Sequence, residues 1–201
     1  MLRVTDQLVA AGRSFYERGW VMGTSGNFSA VVSREPLRLV ITPSGAHKGR
    51  LAVGDLLEVD GDGSVTTGTG KPSAETLLHL EIARAHGAGA ILHTHSVWST
   101  ILSDRHKATG GFALEGYEML KGLTGVATHE HREWVPILAN DQNISRLAGA
   151  LHETLGANPA AHAVLLSAHG LYTWGRDVVE AERHVEILEF LFEVAGRTAG
   201  R

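Results

Sequence analysis

The chain of 201 residues contains no cysteine. Disulfide scaffolds, cysteine-ligated zinc, iron–sulfur clusters and thiol nucleophiles are therefore excluded, and a reducing compartment is the natural setting. Long apolar runs are also missing. No stretch approaches the roughly 18 consecutive apolar residues of a membrane span. Asp6, Gln7, Arg13 and Glu17 interrupt any signal-peptide core near the start, so a cytoplasmic chain is expected. Basic excess is lacking too. Eighteen Lys and Arg face 22 Asp and Glu, a net charge of −4, which suits neither nucleic acid nor an anionic membrane. No glycine-rich dinucleotide or phosphate-loop fingerprint follows a predicted strand, which leaves a nucleotide fold with little support.

What is present is 12 His and 24 Gly within an ordinary globular composition, 43% hydrophobic and 20% charged. A chain this long buries roughly 70% of its unfolded surface, so it needs no metal merely to fold. The length suits one domain spanning residues 1–201.

Periodicity predicts a helix over 5–18, strands over 27–33 and 37–42, and a hairpin around Gly61-Asp62-Gly63. Ser73 reads as the cap of a helix over 74–86. A short buried strand, Ala90 to Leu92, precedes a short helix over 96–104. Trp134 to Leu138, Ala163 to Ser167 and Leu171 to Trp174 read as strands. Asp141 and Asp177 read as the starts of two further helices. The stretch 105–134 has no readable period. Helices interspersed with short strands predict a three-layer α/β/α or α+β domain.

Chemistry concentrates in a few places. In Ala90-Ile91-Leu92-His93-Thr94-His95, the period of an extended chain puts both imidazoles on one face at the end of a buried strand. His169, in Ser167-Ala168-His169-Gly170, follows a second apolar run, and the glycine after it permits close backbone approach. Three histidines with one open position form a catalytic type of zinc site. Three loops rich in small donors accompany them: Gly23 to Ser29, Thr42-Pro43-Ser44-Gly45, and Lys71-Pro72-Ser73-Ala74-Glu75. Backbone N–H groups of such loops and of helix N-termini bind anions. Lys48 and Lys71 lie nearby in sequence and read as solvated surface lysines. His129 and His131 lack a third ligand and read as structural or pocket residues.

Together, Gly26-Asn27-x-Ser29, Thr42-Pro43-Ser44-Gly45, Lys71-Pro72-Ser73-x-Glu75, His93-Thr94-His95-Ser96 and Ala168-His169-Gly170 resemble the class II aldolase/adducin family, in order and over nearly the whole chain. Glu115 to Leu123 and the run from Thr128 to Ile137 resemble the branch of that family that dehydrates a methylthio-ketose phosphate. The resemblance implies a three-layer α/β/α sandwich with a mainly antiparallel central sheet, usually assembled as a homotetramer. It implies one Zn2+ per chain on His93, His95 and His169, with Glu118 as catalytic acid/base. Gly26, Asn27, Ser44, Gly45, Ser73 and Glu75 fall on its substrate and phosphate site. Ala74 departs from relatives that carry a second serine there. Aldolases of the family use the glutamate at position 75 as their acid/base, so both carboxylates stand as candidates for that role. The alternatives are a sugar-phosphate aldolase or epimerase, or a scaffold without chemistry. Retention of three histidines and two glutamates argues against the last.

Overall fold

The computed structural model describes residues 3–198. Among the described residues nine strands form one sheet: β1 Asn27–Arg34, β2 Leu37–Ile41, β3 Leu57–Asp60, β4 Val65–Thr67, β5 Ala90–Thr94, β6 Gly111–Glu115, β7 Arg132–Leu138, β8 Ala163–Leu166 and β9 Gly170–Gly175. Their spatial order is β4-β3-β2-β1-β5-β9-β8-β7-β6, with every neighbouring pair antiparallel except β7 with β8. Among the described residues five α-helices cover the sheet: α1 Val4–Glu17, α2 Thr76–His86, α3 Val97–His106, α4 Ile144–Ala157 and α5 Val178–Thr198.

Strand alternation assigns side chains to two faces. Leu39, Ile41 and Ile91 pack with Leu78 and Ile82 of α2 and with Leu147 and Leu151 of α4. Val40, Ala90 and Leu92 turn to the opposite face, against Phe15 of α1 and Val185 of α5. Leu102 of α3 joins that second layer through Leu188 and Phe192 of α5. The three-layer sandwich and the mainly antiparallel sheet agree with expectation.

Two helix starts fall later than the sequence suggests. Ser73 Oγ does accept the Glu75 N–H at 3.2 Å, but regular helix begins at Thr76. Asn143, not Asp141, caps α4 by accepting from Arg146 N, while Asp141 accepts from Asn143 N. The Asp177 cap holds, with Oδ1 accepting from Glu180 N at 2.9 Å. The unreadable stretch contains β6, which pairs with β7 along its whole length, from Gly111 opposite Pro136 to Glu115 opposite Arg132. Among the described residues no helix is long and apolar enough to cross a membrane.

His131 belongs to a structural cluster. Its Nε2 lies 2.8 Å from the carboxylate of Glu133, a side chain 1% exposed. His162 meets the same carboxylate through Nδ1 at 3.0 Å, and its backbone N–H donates to it at 2.9 Å. Burial alone would lower the His162 pKa, but Glu133 overrides it and the net shift is upward from 6.5. Burial opposes ionisation of Glu133, yet its bonds to His162 and His131 hold it below 4.5. The raised histidine contributes stability below about pH 6.5 that is lost as pH climbs through its folded pKa. The depressed carboxylate contributes stability above about pH 4.5 that is lost as pH falls through its own. Glu133→Ala is expected to cost about 3 kcal/mol. In thermal melts the gap between variant and wild type should be widest near pH 5–6.5 and narrow toward pH 8. A gap independent of pH means that the pair is not ionised.

Candidate metal centre and substrate cavity

The apolar residues of β5 bury its centre, and the end of the strand delivers His93 and then His95 to the mouth of the site. His169 arrives from the turn between β8 and β9, where Ala168 adopts a positive φ of 51°. Two glycines let these segments approach. A Cβ at Gly170 would lie 2.1 Å from the Thr94 carbonyl oxygen, and one at Gly26, whose φ is +72°, would lie 2.6 Å from the His93 carbonyl oxygen.

The three rings converge. His95 Nε2 stands 2.7 Å from His93 Nε2 and 3.1 Å from His169 Nε2. One nitrogen from each ring falls within 4.8 Å of the others, a group able to hold a metal ion. His93 Nδ1–H donates to the Leu171 carbonyl at 2.9 Å, which fixes the tautomer and leaves the Nε2 lone pair facing inward. The His93 ring stacks on Tyr172, centroids 3.9 Å apart. Burial, then the charges of His95 and His169, drives the His93 pKa well down. Burial, then His169 and Lys48, brings His95 to about 4. Burial lowers His169 too. Three neutral imidazoles with lone pairs converging are the donor set a zinc-type cation requires.

Glu75 stands beside them at the approach to α2. Its carboxylate oxygens lie 3.4 Å from His93 Nε2 and 3.5 Å from His169 Nε2. Asn27 Nδ2 donates to Glu75 at 2.7 Å, and Asn27 Oδ1 accepts from His79 Nε2–H. His79 Nδ1 in turn lies 2.7 Å from Ser29 Oγ. Burial takes the His79 pKa to about 3, so this relay is neutral and orients the carboxylate. A cavity of about 400 Å³ opens over the centre, lined by Ser25, Gly26, Asn27, Ser44, Gly45, Ser73, Glu75, His95 and His169. The three donor loops are tied together: Ser44 N donates to Lys71 O at 2.9 Å, and Phe28 N donates to Thr42 Oγ1 at 3.1 Å.

A family model for the class II aldolase and adducin N-terminal domain matches residues 6–195. The chain belongs to this family. It is 48% identical to methylthioribulose-1-phosphate dehydratase of Methylococcus capsulatus, over 96% of this chain and 93% of that protein. YgbL of Klebsiella pneumoniae superposes with a TM-score of 0.82 at 26% identity, over 98% of this chain and 90% of that one. The L-fuculose-1-phosphate aldolase of Thermus thermophilus superposes with a TM-score of 0.76 at 26% identity, over 97% and 95%.

Within this class II aldolase chain, the structure gathers Gly26, Asn27, Ser44, Gly45, Ser73 and Glu75 around the histidines. It does not bring Glu118 there. Glu118 lies in a short 3-10 turn, its side chain 72% exposed, and it bonds Lys121 Nζ at 2.6 Å. That bond, then the Lys121 charge, lowers its pKa from 4.5. Leu120 turns inward while Met119 is itself exposed.

Lys48 also departs from expectation. It is buried at 1% exposure and lines the cavity, whereas Lys71 is exposed. The relay role of His79 and Ser29 carries no sequence signal; it depends on α2 bringing His79 against Ser29 and Asn27 of β1. Glu189 of α5 is equally silent in the sequence. It accepts from Thr94 Oγ1 at 2.9 Å on the reverse side of β5, and burial raises its pKa to about 7.

Proposed function

We propose that this chain is a zinc-dependent methylthioribulose-1-phosphate dehydratase, a hydro-lyase of methionine salvage that works in the cytoplasm as a homotetramer. The observation that carries the reading is the convergence of three neutral imidazoles on the floor of a donor-rich cavity, in a chain 48% identical to an enzyme of that name. His93, His95 and His169 would hold the zinc, which would supply Lewis-acid polarisation of the substrate's C2 carbonyl.

The residues of the chain do the rest. Backbone N–H groups and hydroxyls around Gly26, Ser44, Gly45 and Ser73 hold the 1-phosphate, and binding there orients the reacting carbons. Asn27 and Glu75 border the polarised carbon centre, with Glu75 held in place by the His79 relay. Glu118 takes the C3 proton and delivers it to the C4 hydroxyl, which departs as water with its bonding electrons. The remaining C3–C4 enol tautomerises to 5-methylthio-2,3-dioxopentyl phosphate. Because Glu118 stands outside the cavity of its own chain, this role draws it from a neighbouring copy in the tetramer.

Incubation of metal-analysed protein with 5-methylthioribulose 1-phosphate is expected to yield the diketone phosphate with all five carbons of the ribulose chain retained. Carbon–carbon cleavage instead selects a class II sugar-phosphate aldolase of the fuculose or ribulose phosphate type, or epimerisation an epimerase. That second reading is favoured by one observation: Glu75, not Glu118, touches the histidines.

A further inference from the structure

Lys48 occupies a place where an unpaired charge is costly. Its side chain is 1% exposed, and among the described residues its ammonium bonds only carbonyl oxygens; the Glu75 charge acts on it through space, without a direct ion pair. Buried charges are ordinarily paired. The ammonium donates to the Thr24 carbonyl at 2.8 Å and to the Ala46 carbonyl at 2.7 Å. These two carbonyls belong to different segments, one in the loop before β1 and the other just beyond Gly45. A lysine ammonium carries three donors, and two are used.

The surroundings indicate what its partner is. Lys48 lines the cavity with Ser25, Gly26, Ser44, Gly45 and Ser73. Lys48 is the one Lys or Arg among the described residues lining it, while Glu75 and Asp141 supply negative charge to the same walls. A phosphate dianion entering this space would face neutral donors and two carboxylates, with a single cationic side chain to offset them.

We propose that Lys48 is the counter-charge for the substrate's phosphate, acting from beneath the two segments it ties together. The inference rests on the reading that these loops hold a phosphate, and it adds the residue that makes the neutral cradle selective for a dianion. The missing counterion of Lys48 is then the ligand itself. Charge-assisted bonds of this kind are roughly twice as strong as neutral ones.

Lys48→Gln separates charge from loop tying, since the amide keeps two N–H donors. Titration calorimetry with inorganic phosphate on the metal-loaded protein is expected to show affinity at least about tenfold weaker in Lys48→Gln. The KM for the phosphorylated ketose should rise by a similar factor, with kcat changing less. Equal phosphate affinity in wild type and variant overturns the inference and leaves Lys48 a structural tie, with the phosphate reading intact. Absence of phosphate binding by the wild type removes the phosphate reading, and this inference with it.

Should Lys48→Gln fail to fold, the missing native cysteines offer a second route. Lys48→Cys alkylated with bromoethylamine before refolding regains an ammonium, and alkylated with iodoacetamide it does not. Phosphate binding restored by the first treatment alone supports the counter-charge; equal binding after both treatments overturns it.

Discussion

Replacing His95 with alanine is expected to remove the metal and abolish turnover together. His95 Nε2 stands within 3.1 Å of both other Nε2 atoms, so it is the centre of the donor set and not a peripheral member. Loss of outer partners alone weakens metal affinity 10–100-fold, so loss of a direct donor should exceed about 100-fold. Metal content by plasma emission and turnover on the same sample make the check. Full turnover by metal-free His95→Ala protein would end the ligand assignment. The pH behaviour follows from the same geometry. Ligation needs neutral imidazole, and burial keeps His95 neutral down to about 4, with His93 and His169 also lowered. The wild type should therefore hold metal at about pH 6, below the ordinary histidine pKa, and release it as pH falls toward about 4. Rapid release near pH 8 contradicts the assignment.

Glu118→Gln should leave metal content unchanged and lower turnover by about 10²–10⁴, the usual weight of a general acid–base group. The side chain is exposed, bonded to Lys121 and 3.9 Å from His129 on the surface of its own chain, so the substitution should hardly disturb folding. Mixing separates action within a chain from action between chains. Unfolded His95→Ala and Glu118→Gln chains, refolded together in equal amounts, form hybrids. If Glu118 serves a neighbouring copy, roughly a quarter of all sites combine an intact triad with an intact Glu118, whichever closed symmetry the assembly has. Activity near that fraction is the expected result. No recovery with normal assembly places the acid/base within one chain. Normal turnover by Glu118→Gln itself transfers the role to Glu75, whose carboxylate already lies 3.4–3.5 Å from two of the histidines.

The local chemistry of the site was legible because short-range rules govern it. His93 and His95 share a face through the period-two pleat, and Gly170 marks a close approach that the 2.1 Å clash distance explains. Ser73 lies at a helix approach for the reason any hydroxyl does, although the regular turn waits until Thr76. The middle of the chain was opaque for an equally physical reason. β6 gains its strand character from pairing with β7, and the alternation within Gly111–Glu115 is too short to announce it. Lys48 misled because a lysine beside glycine and arginine usually meets solvent; only the fold of the loops over it makes it buried.

By itself the sequence determined the composition of the donor set, the strand that carries two of its members, and the small-residue loops that can face an anion. These depend on residue type and on neighbours a few positions away. Only the tertiary structure brings His169, 74 positions beyond His95, to 3.1 Å from the His95 ring nitrogen. It also decided that Glu75 and not Glu118 stands against the histidines in one chain, and that Lys48 loses its water and bonds carbonyl oxygens instead of a carboxylate. Such facts belong to long-range packing: they follow from which strands pair, and strand pairing brings together side chains whose separation along the chain carries no local signal.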